Sequence, residues 1–343
     1  MLSRVAENVY WLARYLERAE DTARLLSVNS HLLLDLPRPT QLGWSEIIAI
    51  TGNDELFDEH YPTRDEASVL TFMCGDRRYT GSILSSLSAA RENLRTTRDV
   101  IPREIWEEVN QMYLNVKEQV GSGITPRRRD AFLGRVIRSC QTVNGLIEST
   151  LSYTEVRSFL MLGRQLERAD MTTRILDVRS ANLLPRSPED LTPFETLQWM
   201  SVLKSLSGYQ MYRQHVRLRI RGPDVLQFLL QNQKFPRSVA CALERLANAL
   251  ITLPRHEAAL NEVETCRQDL ANAEIAVLAA EPDRLHAFVD DIQVDFEELH
   301  EAIRQTYFAQ PEDGAQTQTQ SQSQTQTQTQ SQSSSGASTP KHG

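Results

Sequence analysis

The feature that most constrains this chain is a helical segment that occurs twice. Leu12, Arg14, Leu16, Glu17, Arg18, Ala19, Thr22, Arg24 and Leu26 each have an identical partner 150 positions later, from Leu162 through Arg164, Leu166, Glu167, Arg168, Ala169, Thr172 and Arg174 to Leu176. A constant offset that keeps charged as well as apolar residues points to a duplicated unit. With about 3.6 residues per helical turn, Leu12, Tyr15, Leu16, Ala19, Ala23 and Leu26 share one face, the pattern of an amphipathic helix. Leu162, Leu166, Ala169 and Leu176 repeat that stripe. Arg14, Glu17, Arg18 and Asp21 fall on the other face, as do Arg164, Glu167 and Arg168.

The charges are arranged with a purpose that helix propensity does not supply. Glu20 with Arg24, and Asp170 with Arg174, stand four apart with the acid first, the favourable order. Arg14 and Arg18 are also four apart but repel, and Arg164 and Arg168 repeat the arrangement. An anion is expected between each pair. In one reading it is internal: the two helices cross near a pseudo-twofold axis, with Glu17 facing Arg168 and Glu167 facing Arg18, because buried charges need partners. In the other it is external, a phosphate, a carboxylate or an acidic protein surface, and the eight residues Arg14, Glu17, Arg18, Arg24, Arg164, Glu167, Arg168 and Arg174 form a binding or catalytic surface. Solvated helix faces are the remaining alternative.

The rest of the chain reads as helices separated by proline and glycine breaks, so the expected class is all-α, an internally duplicated multi-helix bundle. Helix 1 runs from near Ser3 to about Leu34, before Pro37 and Pro39. A short helix around Ile47, Ile48 and Ile50 stops at Gly52-Asn53, and the stretch through Asp54, Asp58 and Pro62 reads as an acidic loop. Further helices are expected at 65–73, 82–100 and 102–121, ending at Gly121-Ser122-Gly123. A connecting helix over 126–151 leads to the second copy, about 153–184. Leu197 and Trp199 then echo Leu42 and Trp44, and Phe228, Phe235, Ser238, Val239 and Leu243 echo Phe72, Tyr79, Ser82, Ile83 and Leu87. The halves span about 1–123 and 153–279 within a domain over 1–309. Two long helices are expected, over 254–279 and 282–308. Five residues, 216–220, alternate like a strand, which is weak evidence for one. From Pro311 the chain is rich in Gln, Thr and Ser and lacks large apolar residues, so 311–343 reads as a disordered tail.

Several function classes are disfavoured. A net charge of −8 argues against nucleic acid as a general partner. Cys74, Cys140, Cys241 and Cys266 have neither zinc-ligand nor disulfide-framework spacing, and scattered thiols suit a reducing cytoplasm. No apolar run is long enough for a membrane span, and charges interrupt any signal-like segment at the start. No HExxH, P-loop, GxGxxG or GxSxG occurs, and Glu297 to His300 is a lone ExxH spacing without the second copy a di-metal bundle needs. Neither a metal nor a cofactor is expected. Arg213, His215, Arg217, Arg219 and Arg221 form the densest basic cluster, a candidate anion site at the first four whose alternative is a solvated or internally paired segment. Arg127-Arg128-Arg129 reads as a surface feature near a helix start.

The opening from Met1 to Glu20, with Glu17-Arg18 and Glu167-Arg168, resembles the alpha-E domain family of bacterial proteins, helical domains with a Glu-Arg motif. Phe159 to Val178 and Asp224 to Ser238 are also similar to it. Arg78-Tyr79-Thr80 departs from the family's Asn-Pro-Ser-like turn. The resemblance implies an all-α protein of unknown function, encoded beside or fused to circularly permuted ATP-grasp proteins and near transglutaminase-like peptidases. The expected setting is peptide or amide-bond synthesis or modification. On that basis the expectation is a non-catalytic accessory protein bound to an ATP-grasp-type ligase or a transglutaminase-like protein. The alternative is an enzyme taking an anionic substrate at the Glu-Arg helices.

Overall fold

A computed structural model describes residues 1–35, 43–183, 195–216 and 219–309, without the side chains of 179–183 and 195. The breaks after Leu34 and Leu184, Arg217 and the Gln/Thr/Ser tail lie outside the described residues. Every regular element among those described is helical. The first half contains α1 (Ser3–Asp35), α2 (Ser45–Thr51), α3 (Asp54–His60), α4 (Glu66–Gly75), α5 (Ile83–Thr96), α6 (Arg103–Gly121) and α7 (Pro126–Thr150). The second contains α8 (Glu155–Leu183), α9 (Glu195–Ser205), α10 (Tyr209–Val216), α11 (Gly222–Gln231), α12 (Val239–Leu250), α13 (Glu257–Asn272), α14 (Ile275–Ala280) and α15 (Pro282–Ile303), closed by a π-helical turn over Arg304–Phe308.

The two Glu-Arg helices, α1 and α8, form the centre and lie against each other. Around them α1 is covered by α5, α7 and α9, and α8 by α2, α12 and α15. Their close approach has a specific cause. Gly163 lies so near α1 that a methyl group there would sit 2.1 Å from the Tyr10 carbonyl oxygen. Being central changes the reading of their polar faces. Alongside Leu12, Ala19, Ala23 and Leu26, the charged residues Glu17, Glu20 and Asp21 are buried too, so the acids of α1 over this stretch are out of solvent.

Local chemistry explains several helix ends. Ser82 caps α5 by accepting from the Ser85 N–H, and Ser238 caps α12 by accepting from Cys241. Just before these caps, Tyr79 stacks on Phe72 (centroids 4.7 Å apart) and Phe235 on Phe228 (4.8 Å). Gly52 closes α2 with φ +64°, which suits a residue without a Cβ.

Three expectations fail. The expected acidic loop forms α3: Phe57 is fully buried, Asp54 and Glu55 favour the helix N-terminus, and Arg64 ties down Asp54 and Asp58. The expected long helix over 254–279 is two, α13 and α14. Gln231 from α11 donates to the carbonyls of Leu270 and Ala273 (2.9 and 3.0 Å), satisfying the end of α13 without proline or glycine. Arg129 is not a surface residue but is buried, paired with Glu66 and with Asp130.

Candidate functional site: the Glu-Arg centre

Where α1 and α8 cross, each carboxylate meets two arginines. Glu167 accepts from the Nε of Arg14 at 2.7 Å and of Arg18 at 2.5 Å, so it is the anion between those two cations. Arg14 also lies over the Trp11 ring at 5.1 Å. Glu17 accepts from Arg168 Nε at 2.7 Å and lies 2.8 Å from an Arg237 nitrogen. The matched arginine pair does not repeat the first: Arg164 is turned away to Glu148, 3.5 Å distant. Glu17 and Glu167 are each only 1% exposed.

Arg237, which precedes α12, was not legible as a site residue. Its guanidinium reaches Glu17, Glu20 at 3.2 Å, and Asp21. Glu20 also holds Arg24 at 2.6 Å. Arg174 donates to Asp170 at 2.9 Å, so both of the expected pairs four apart are present.

Electrostatics divide the buried acids. Burial by itself would raise Glu17, but Arg168 and Arg237 outweigh it and hold its pKa near about 2. Burial also dominates at Asp21, where the neighbouring Glu17 and Glu20 charges add to it and push the pKa up to about 7 despite Arg237. Among the described residues one Asp21 oxygen has no hydrogen-bond partner, as fits a group that is easily protonated. Glu167 is lowered, with Arg18 and Arg14 overcoming its burial.

At the outer edge of this centre, Tyr10 is hydrogen-bonded to His300 of α15 at 2.9 Å. Burial, then the Arg14 charge, lowers the His300 pKa to about 4. No repeat or spacing signalled this contact, because the two residues are 290 positions apart.

The other candidates do not converge. Arg213 and His215 are exposed in the last turn of α10, and His215 Nδ1 bonds the Met211 carbonyl at 2.8 Å. Arg219 is exposed, and Arg217 lies outside the described residues. Among the described residues, the grouping close enough to hold a metal is Asp177, His286 and Asp290, at a largely exposed surface where His286 pairs with both acids. All four cysteines are buried and free. Among the described residues no helix is long and apolar enough to cross a membrane.

The chain is similar to uncharacterized proteins of Mycobacterium bovis and Mycobacterium tuberculosis, each 22% identical over 273 residues. The matched region is 73% of this chain but 30% of each relative, so the chain spans under a third of their length. No solved structure matches. The Alpha-E family, described as a predicted alpha-helical domain with a conserved ER motif, matches residues 1–308. With Glu17-Arg18 and Glu167-Arg168 cross-paired at its centre, this chain belongs to the Alpha-E family.

Proposed function

We propose that this chain is a non-catalytic helical module that works with a separate catalytic protein, and that its Glu-Arg centre is a folding lock. The carrying observation is the saturation of Glu17 and Glu167, each 1% exposed and each held by two arginines. A general acid or base must reach a substrate proton and titrate near working pH. Glu17, with its pKa held near about 2, does neither. An anionic substrate at Arg168 and Arg237 would have to displace the Glu17 carboxylate already in place.

The partner class follows from the family resemblance: an ATP-grasp-type ligase acting in peptide or amide-bond formation, with a transglutaminase-like protein as a second candidate. That the matched region is only part of longer mycobacterial relatives supports a module acting beside other domains. The two Glu-Arg helices are further read as a duplicated unit. In favour are the matched Ser82 and Ser238 caps, each preceded by an aromatic stack at nearly the same centroid distance.

The test is coexpression with the ATP-grasp ligase encoded in the same genome, followed by size-exclusion chromatography. The expected result is a joint peak at fixed stoichiometry. Separate elution at micromolar concentrations of both proteins would overturn the partnership.

A further inference from the structure

A cleft of about 1000 Å³ opens between α8, α13 and α15, and Arg14 of α1 reaches it. That volume is in the range of small-molecule sites. Its walls differ in what their charges are already doing.

On the α1 and α8 side positive charge is in excess. Among the described residues Arg14, Arg18 and Arg174 share only Glu167 and Asp170 as ion-pair partners. Arg14 and Arg174 both line the cleft. Beside them His300 also lines the cleft, hydrogen-bonded to Tyr10 through Nδ1 at 2.9 Å. Its ring stays neutral near pH 7 and adds no charge of its own. Arginine forks suit a carboxylate.

On the α13 and α15 side Glu301 is already paired with Arg304, but other acids are unspent. Glu262 and Glu297 line the cleft, and neither has an ion-pair partner among the described residues. Such carboxylates suit an ammonium or guanidinium group. A plain anion meets these two acids, and a plain diamine meets the arginines, so each satisfies only one wall.

We infer that this cleft binds a small dipolar ligand of net positive charge, such as a basic amino acid or short basic peptide, with its carboxylate at Arg14 and Arg174 and its amine at Glu262 and Glu297. The inference is independent of the ligase partnership. A chain that binds such a ligand yet no ligase upholds the cleft alone, and the reverse result upholds the partnership alone.

The experiment is calorimetric titration of the full chain at low salt with the dipeptide Lys-Lys, with acetate and cadaverine as single-charge-type controls. Lys-Lys is expected to bind at least about tenfold more tightly than either control. The Glu262→Gln, Glu297→Gln double variant should weaken Lys-Lys binding by about tenfold and leave the melting temperature unchanged, because neither acid has a partner to lose. Arg174→Gln should weaken Lys-Lys but not cadaverine. No heat from Lys-Lys up to about 10 mM, or equal affinity for Lys-Lys and cadaverine, overturns the inference. So does a double variant that stays folded and binds as the wild type does.

Discussion

Glu17 and Glu167 are the same residue type at matched positions of two crossing helices, yet they sit in different settings. Around Glu17 the cluster is closed: Glu20 and Asp21 join it, Arg168, Arg237 and Arg24 answer them, and Arg237 is only 7% exposed. Around Glu167 the cluster is open: Arg18 keeps 24% of its side chain exposed, and Arg14 lines the cleft. The closed end has its charges matched and removed from water. The open end has arginine to spare. Two segments with matching Glu-Arg residues thus sit in different settings, and the difference is supplied by residues outside the match.

The largest effect that tests this contrast is on Glu17. Glu17→Gln leaves Arg168 and Arg237 without a shared counter-charge, and breaking a buried pair costs about 3–5 kcal/mol. The melting temperature should fall by roughly 10 °C. Glu167→Gln should lower it by less, because water can reach Arg18. Calorimetry on both single variants checks the order, and equal or reversed falls would break the closed/open distinction.

Next comes the helix crossing. Gly163→Ala drives a methyl group towards the Tyr10 carbonyl and should cost about 1–3 kcal/mol as overpacking. The matched Ala13→Gly removes a methyl and should cost roughly 1 kcal/mol, mainly through helix propensity. Urea denaturation of the two variants measures the difference.

A pH series separates the two ends by sign. Asp21 has a raised pKa, so its contribution to stability is fully present below its unfolded value near 4 and is lost as pH rises through about 7. His300 has a depressed pKa, so its contribution is present above about 6.5 and is lost as pH falls through about 4. Asp21→Asn should therefore flatten the loss of stability between pH 4 and 7, while His300→Gln should flatten the opposing loss between pH 6.5 and 4. Stability measured at half-unit pH steps reads both slopes.

The smallest effect is the control. Glu92 and Arg95 are paired at 2.5 Å on the surface of α5, and both are more than half exposed. Glu92→Gln should leave the melting temperature unchanged within error. A clear fall would mean that ion-pair proximity, rather than burial, sets the scale of the effects at Glu17.

Much of the centre was legible because repulsion is a local signal. Arginines at 14 and 18 demand a counter-charge, and only Glu17 and Glu167 recur with the same spacing. What escaped was set by distance along the chain. Arg237 lies 216 residues from Asp21 and belongs to no charged pattern. A shift of 156, which aligns Ser82 with Ser238, places it opposite Gly81, so only the difference between the halves could have revealed it. The cleft was invisible for the same reason, since its walls come from separate helices. The break after α13 is made by a glutamine on another helix, and no local residue announces it. The polar stripe of α1 was left between an internal lock and a working surface because amphipathicity says which residues differ, not which of them stay wet.

The reach of Arg237 also bears on how the chain is made. During synthesis α1 emerges before α8 and α12, carrying Glu17, Glu20 and Asp21, whereas Arg168 follows Glu17 by 151 residues and Arg237 follows Asp21 by 216. Until then the first helix has no way to bury those acids with their counter-charges. The amino-terminal half must wait, held open or shielded, for the carboxy-terminal half to arrive. A module that looks like two repeats therefore matures as one, late and all together.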